Sequence, residues 1–542
     1  MGGTGLSPRQ VGRPSFRWRG WGATLVRHGG VVVPVGLALI LLPGIPAVAA
    51  GPLPSGWEDE IVEYVNVEMA ELDIPGAAVA IVQDSEVVFA QGFGVANPNG
   101  DPVTEETPFP IASMSKSLTA VAVMQLVESG ALALEDSLGS LIPELAAADA
   151  RAVTVRHLLA HTSGWTEQDG LWIDQDPGPD ALERNVRRIV NTPLDHSIGE
   201  FEYSNANYDV LGYLVERISG EPFGDYMAEH VFGPLQMTRT FTSEDEAQTA
   251  GLVTGYYPYF GIVRPMRSEF LPGRVPSAWI MASAEDLSHA LIAHLNEGRY
   301  GDATLLSPGG MRRLHQPNAY PDDPCCGYAM GLWVFPLYGA DRLVEDEKGF
   351  TRYEVPMALE HTGSGPSAAS GIIMLPEEKI GVVVLLNIND ESVPSLYHNM
   401  HRGIAHILLD VPPRPTVASE SLLARNGKLV ALIMLAGFLL RTGFSAMRVK
   451  RVMRITPRPA TALRTLVVPL AIDLALVGFV WWLLLSQANA PLASIRRAVP
   501  DILWTFVAST VVVVGWAVTR TVLLLTSPLP VEYPDPVHRT TS

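Results

Sequence analysis

Apolar residues recur along this chain in three rhythms, and each rhythm predicts a different kind of element. At 76–97, "GAAVAIVQDSEVVFAQGFGVAN", two apolar runs flank a polar turn at Gln83-Asp84-Ser85, which predicts a pair of antiparallel strands. At 370–387, "SGIIMLPEEKIGVVVLLN", the design returns with "PEEK" as the turn. Between them, 118–128 and 208–219 read as helices, separated by long segments rich in Gly and Pro, with no internal repeat. Strands at both ends and helices between them predict an α/β (α+β) fold. Its antiparallel sheet is completed by both ends of the domain and flanked by helices, and it carries an inserted helical lobe.

The third rhythm is the long apolar run. Residues 31–50, "VVVPVGLALILLPGIPAVAA", follow Arg-containing sequence and close on Ala47-Val48-Ala49. That is the pattern of an export signal, either cleaved or kept as an anchor. Near the other end, 429–447, 466–485 and 502 to about 518 each approach the ~20 apolar residues needed to cross a bilayer. Arg441 interrupts the first run, and Asp473 lies inside the second. A Pro-rich linker, "VPPRPTVASES" at 411–421, precedes them. The expected organisation is a signal or anchor over 1–50, a catalytic domain over 51–412 and a linker over 413–428. Three membrane helices within 429–526 and a cytoplasmic tail over 527–542 complete it.

Charge supports this division. Residues 1–50 carry five Arg and no acid, whereas 51–425 carry 21 basic and 53 acidic groups. So acidic a central domain argues against a nucleic-acid partner, because phosphate binding needs a basic surface. Arg441, Arg448, Lys450, Arg451, Arg454, Arg458 and Arg464 cluster between the first two apolar runs. A dense basic loop belongs on the cytoplasmic side, which puts the central domain outside the cell membrane with a multi-pass C-terminus behind it. The only cysteines, Cys325 and Cys326, are adjacent. They make no zinc site by themselves, and a vicinal disulfide and two separate thiols both remain open.

Lysine is scarce: five against 33 arginines, and Lys116 is the only one before position 348. It follows Ser113 by three residues in "FPIASMSKSLTAVAVMQLVESG". On a helix, positions i and i+3 share a face. A serine hydroxyl becomes a nucleophile when a neighbouring base takes its proton, and a buried lysine can be that base. His157 and His161 have an i, i+4 spacing that suits zinc, but no glutamate stands between them and no third ligand is evident, so no metal is assigned. Trp165, Trp172, Tyr208 and Trp333 are candidates either for the cleft or for core packing.

"FPIASMSKSLTAVAVMQLVESGALALEDSL", "VTVRHLLAHTSGW", "FEYSNANYDVLGYLVERISG" and "EHTGSG" occur in that order. Together they resemble the serine β-lactamase/penicillin-binding superfamily, within it the branch of class C β-lactamases, D-amino-acid peptidases and related esterases. The resemblance implies that Ser113 is the acylated nucleophile and Lys116 its proton partner. Tyr203, opening Tyr203-Ser204-Asn205, would shuttle a proton, and Asn205 would bind substrate. A lysine heads the third motif in many members; here the motif is His361-Thr362-Gly363, which removes a fixed positive charge and puts β-lactam recognition in doubt. The backbone N–H of Ser364 would join that of Ser113 in an oxyanion hole. The implied activity is a metal-free and cofactor-free serine hydrolase that forms an acyl-enzyme on small peptide, amide or ester substrates, most readily D-amino-acid-containing peptides. The order of signal, hydrolase and membrane spans is similar to prodrug-activating peptidases. A cell-wall D,D-peptidase, a β-lactamase or an esterase would share these residues, and a non-catalytic sensor of wall fragments is the reading from another class.

Overall fold

The uninterrupted apolar runs at 76–83 and 380–386 become adjacent strands, buried on both sides. The computed structural model describes residues 53–542 except 172–177, 179, 322–325, 338–341, 346–350, 394–395, 414–426, most of 453–498, and 527–542. Cys325, Trp172 and the 1–50 segment therefore lie outside the described residues. Seven strands form one sheet: β1 (Gly76–Gln83), β2 (Glu86–Gly94), β3 (Gly327–Tyr328), β4 (Trp333–Pro336), β5 (Met357–Ser364), β6 (Ala369–Leu375) and β7 (Ile380–Leu386). Their spatial order is β2-β1-β7-β6-β5-β4-β3, and every pairing is antiparallel. First and last strands meet in the middle, with Ala77 opposite Leu386 and Gln83 opposite Ile380. The sheet is thus closed by the two ends of the domain, as the two hairpin patterns predict.

Side chains on a strand alternate between faces. Ala78, Ala80 and Val82 of β1 join Val383 and Leu385 of β7 in one core. Ala77, Val79 and Ile81 join Val382, Val384 and Leu386 in a second core on the other face. Because both faces are covered, these strands read as continuous rather than alternating apolar runs. Helices α1 (Trp57–Glu71) and, near the end of the domain, Met400–Leu408 supply Ile61, Val65, Ile404 and Ile407 to the second core. The first core takes Leu118 and Val121 from α2 (Ser115–Glu128), Leu211 and Leu214 from α3 (Asn205–Ser219), and Leu287 and Leu291 from α4 (Ala284–Leu295). The Met400–Leu408 helix is α5.

Both α2 and α3 begin three residues earlier than their apolar patterns suggest. Their first turns, Ser115-Lys116-Ser117 and Asn205-Ala206-Asn207, are polar and yet mostly buried. An apolar periodicity cannot register a polar turn that is buried because its partners are polar too.

Past the linker, α6 (Gly427–Val452) and α7 (Pro500–Thr526) lie side by side. Lys428 meets Asp501 at one end, and Ser445 accepts from Arg520 further along, so the two run parallel. The expectation of three membrane helices is corrected here. Among the described residues one helix, Pro500–Val522, is long and apolar enough to cross a bilayer. Helix α6 covers the first expected span, with Arg441 inside it and a basic cluster at its end. The second run, 466–485 with Asp473, lies largely outside the described residues.

Candidate active site

Ser113 sits in a 3-10 turn, Ala112–Met114, one residue ahead of α2. Ala112 is held at φ 45°, in the left-handed region. A residue with a Cβ pays for that conformation, and such strain persists only where its surroundings enforce it. The enforcement is visible. Gly363 of β5 packs so tightly that a Cβ there would stand 2.2 Å from both Ile111 O and Ser370 Oγ. Ser370 Oγ in turn donates to Ile111 O at 2.8 Å. The serine turn is thus pinned against the middle of the sheet.

Lys116 is fully buried. Its Nζ lies 3.0 Å from Ser113 Oγ, 2.6 Å from Asn205 Oδ1 and 2.8 Å from Ser277 O. Burial, with the Arg274 guanidinium nearby, holds the amine well below its ordinary range. A neutral amine has two hydrogens and one lone pair. With the hydrogens given to Asn205 and Ser277, the lone pair is left for the Ser113 hydroxyl proton. Asn205, the first residue of α3, therefore orients the lysine in addition to lining the cleft.

Tyr203 hydrogen-bonds Ser113, and Lys116 Nζ stands 4.9 Å from its ring centre. Burial pushes the phenol well above its usual range. The lysine is depressed while the tyrosine is raised, so the amine is the better suited of the two to accept a proton, and the phenol to pass one along as a neutral group.

His361 is 2% exposed, and its Nδ1 donates to Thr362 O at 2.7 Å. Burial, then the nearby Lys116, drops it to about 3, so the ring is neutral at ordinary pH and presents no positive charge. Its Nε2 has no hydrogen-bond partner among the described residues. Thr362 and Ser364 line the same cleft, and Ser364 Oγ accepts from Asn389 Nδ2 at 2.9 Å. The cleft encloses about 550 Å³. It brings together Ser113, Tyr203, Asn205, His361, Thr362 and Ser364, with Lys116 and Gly363 directly behind.

Several residues around the site carry no local sequence signal. Arg274 and Asp209 form a buried pair 3.7 Å apart, and Asn185 Nδ2 donates to Asp209 Oδ2 at 3.0 Å. Burial raises the Asp209 carboxyl, and Arg274 opposes the rise. Glu391 and Glu167 line the cleft; burial and the adjacent Asp390 push Glu391 up to about 7. Trp333 and Trp279 are lining aromatics, whereas Trp165 and Tyr208 belong to the core.

The two spaced histidines do different work. His157 closes a capping box with Thr154 at the start of a short helix, Val155–Leu159. His161, at φ 57°, is fully buried, accepts from Ser204 N at Nδ1 and packs 4.3 Å from the Tyr203 ring. Neither belongs to the one group spaced for a metal ion among the described residues, Glu221, Glu229 and His230, none of which lines the cleft.

A serine on a strained turn, a depressed lysine behind it, a Tyr-x-Asn pair opposite and a strand edge along one wall define the serine β-lactamase/penicillin-binding superfamily. Residues 61–406 match the Beta-lactamase family, and the chain belongs to it. It is 28% identical over 359 residues to "Protein flp" of Staphylococcus aureus (strain MW2), a match spanning 64% of this chain and 66% of that protein, just under two thirds of its length. It is 30% identical over 361 residues to "Penicillin-binding protein 4" of Amycolatopsis lactamdurans, spanning 63% of this chain and 88% of that one. Among solved structures, the octameric penicillin-binding protein homologue from Pyrococcus abyssi superposes with a TM-score of 0.54 at 26% identity, covering 66% of this chain and 78% of that one. D-alanine carboxypeptidase AmpC from Burkholderia cenocepacia gives 0.52 at 24% identity, with 65% and 98% covered, a likeness of fold.

Proposed function

We propose that this protein is a membrane-anchored serine hydrolase whose catalytic domain, 51–412, works outside the cell membrane on amide bonds of D-amino-acid-containing peptides. The observation that carries the reading is the Lys116 amine, buried, depressed and 3.0 Å from Ser113 Oγ. Ser113 Oγ attacks the substrate carbonyl carbon as its proton passes to Lys116 Nζ. The backbone N–H groups of Ser113 and Ser364 face the developing oxyanion. Collapse of the tetrahedral species breaks the C–N bond, and the proton reaches the leaving amine through Tyr203. Water then enters by the reverse relay and releases the acid and free Ser113. Asn205 and the Thr362–Ser364 edge hold the substrate backbone.

The neutral His361 favours peptides over β-lactams, whose carboxylate would meet no fixed cation on that strand. A wall D-alanine carboxypeptidase is the second reading. It is supported by the likeness to the penicillin-binding relative, and it uses the same residues. Anchoring rests on the Pro500–Val522 helix and export on the apolar 31–50 run.

The test is covalent. A fluorophosphonate probe should modify the tryptic peptide containing Ser113, and Ser113→Ala should remove labelling and D-peptide hydrolysis together. Labelling that moves to another serine in that variant would reject the assignment.

A further inference from the structure

The N-terminal ends of α6 and α7 do not merely follow the catalytic domain; they are bonded to segments that back its cleft. Lys428 Nζ lies 2.8 Å from Asp390 Oδ2, 3.1 Å from Asp501 Oδ2 and 2.7 Å from Pro258 O, and 4.1 Å above the Tyr257 ring. Asp501, 1% exposed, accepts from the Tyr257 hydroxyl at 2.9 Å and from Phe260 N–H at 2.9 Å. Asp390, 4% exposed, accepts from Ser392 N–H at 3.0 Å and Ser392 Oγ–H at 2.6 Å. Two buried carboxylates thus share one lysine. Such a group is tolerable only with every member paired, and removing one partner leaves an uncompensated buried charge.

What this cluster grips stands directly behind the lining of the candidate active site. Asp390 is flanked by Asn389, whose Nδ2 donates to Ser364 Oγ and Gly365 O, and by Glu391, a lining residue. Tyr257 and Phe260 belong to the Tyr256–Tyr259 and Ile262–Pro265 hairpin and its turn. That hairpin bonds the cleft through Tyr256 N–H to Ser367 O at 3.2 Å. Ser367 and Ser268, both lining, share a 2.7 Å hydrogen bond. Both routes end on residues that line the same cleft as Ser113, and both begin at Lys428 and Asp501.

We propose that Lys428 and Asp501 are positioning residues for the substrate cleft, acting through Asn389–Glu391 and the Tyr256–Pro265 hairpin, so that the C-terminal helix pair shapes what the cleft binds. Lys428 and Asp501 bond neither Ser113 nor Lys116, whose amine is held by Asn205 and Ser277. Substrate affinity should therefore respond strongly, and acylation by a small probe, which meets this route only at Ser364, much less. The proposal extends the hydrolase reading and can fail separately from it.

The experiment uses the full chain in lipid nanodiscs, with Lys428→Met, Lys428→Arg and Asp501→Asn. The readouts are KM and kcat on a D-aminoacyl p-nitroanilide, the fluorophosphonate labelling rate, and amide hydrogen exchange across 387–393. Lys428→Met should raise KM by ~10-fold with kcat and labelling nearly unchanged, the signature of lost substrate positioning. It should also speed exchange in 387–393. Lys428→Arg should recover most of the KM, because a guanidinium can still bridge two carboxylates. Asp501→Asn should give a smaller rise. Unchanged KM and exchange in a folded Lys428→Met protein would overturn the proposal. So would a proportional fall in KM-corrected rate, labelling and folded fraction that arginine does not relieve, since that is stability alone. If the wild type resists the probe altogether, the hydrolase reading falls, and exchange in 387–393 still decides the coupling.

Discussion

At the scale of single residues, the site is organised by where protons can rest. Lys116 is depressed by burial and by Arg274, and Tyr203 is raised by burial. The base must be neutral to act, so kcat/KM should rise with pH through the Lys116 pKa, well below the ordinary lysine range, and fall as the amine protonates. His361, already neutral, should contribute no inflection between about pH 5 and 8, unlike an ordinary histidine near 6.5. Lys116→Ala should lower turnover by ~10²-fold or more. Lys116→Arg should not rescue it, because a guanidinium does not give up its proton. A pH–rate profile with these variants checks both points; an arginine variant with substantial activity would remove Lys116 from the base role. The Ser113–Lys116 pair was legible because three residues on one helical turn are a local fact. The acceptors that tune the amine, Asn205 and the Ser277 carbonyl, stand 89 and 161 residues away, and nothing in the local pattern points to them.

At the scale of elements, the serine turn and β5 are fitted to each other through a missing side chain. A methyl at position 363 would press on Ile111 O and Ser370 Oγ. Gly363→Ala should therefore destabilise the domain by ~1–3 kcal/mol, the usual cost of overpacking, and slow labelling of Ser113 by moving the turn. Thermal melting and labelling rate, measured together, check this; a variant as stable and as reactive as the wild type would mean that β5 does not hold the turn. The strand pairs were readable from their apolar runs and polar turns, and Asp84 and Lys379 occupy those turns with positive φ. Helix starts were less readable, because the first turns of α2 and α3 bury polar side chains on polar partners, Lys116 on Asn205, Ser115 on Ala112 O and Asn207 on His161.

For the whole molecule, the two cores that hold the sheet draw, among the described residues, none from beyond Val411. A chain ending at Pro413 should fold and be labelled at Ser113. It should bind D-peptide substrates more weakly than the full chain, since Asp390 and Tyr257 lose Lys428 and Asp501. Labelling of purified truncated protein, alongside its KM, checks the expectation. A truncated form with the full chain's KM would return α6 and α7 to the status of a simple tether. Their apolar character was plain in the sequence, but among the described residues one helix, in α7, is long and apolar enough to cross a bilayer. Arg441 and the flanking basic residues sit in the same helix as the first apolar run, and a run of apolar letters does not reveal which of its faces meets protein.

The order of motifs, the antiparallel pairing of both ends and the candidate nucleophile were determined by the sequence alone, because each rests on contacts between near neighbours or on a periodicity a strand or helix imposes. The depressed lysine, the neutral histidine, the Arg274–Asp209 pair beneath the site and the Lys428–Asp390–Asp501 cluster were decided only by tertiary structure. Each joins charged or polar groups far apart in the chain. Their strength depends on the water that folding removes from around them, a quantity no stretch of sequence contains.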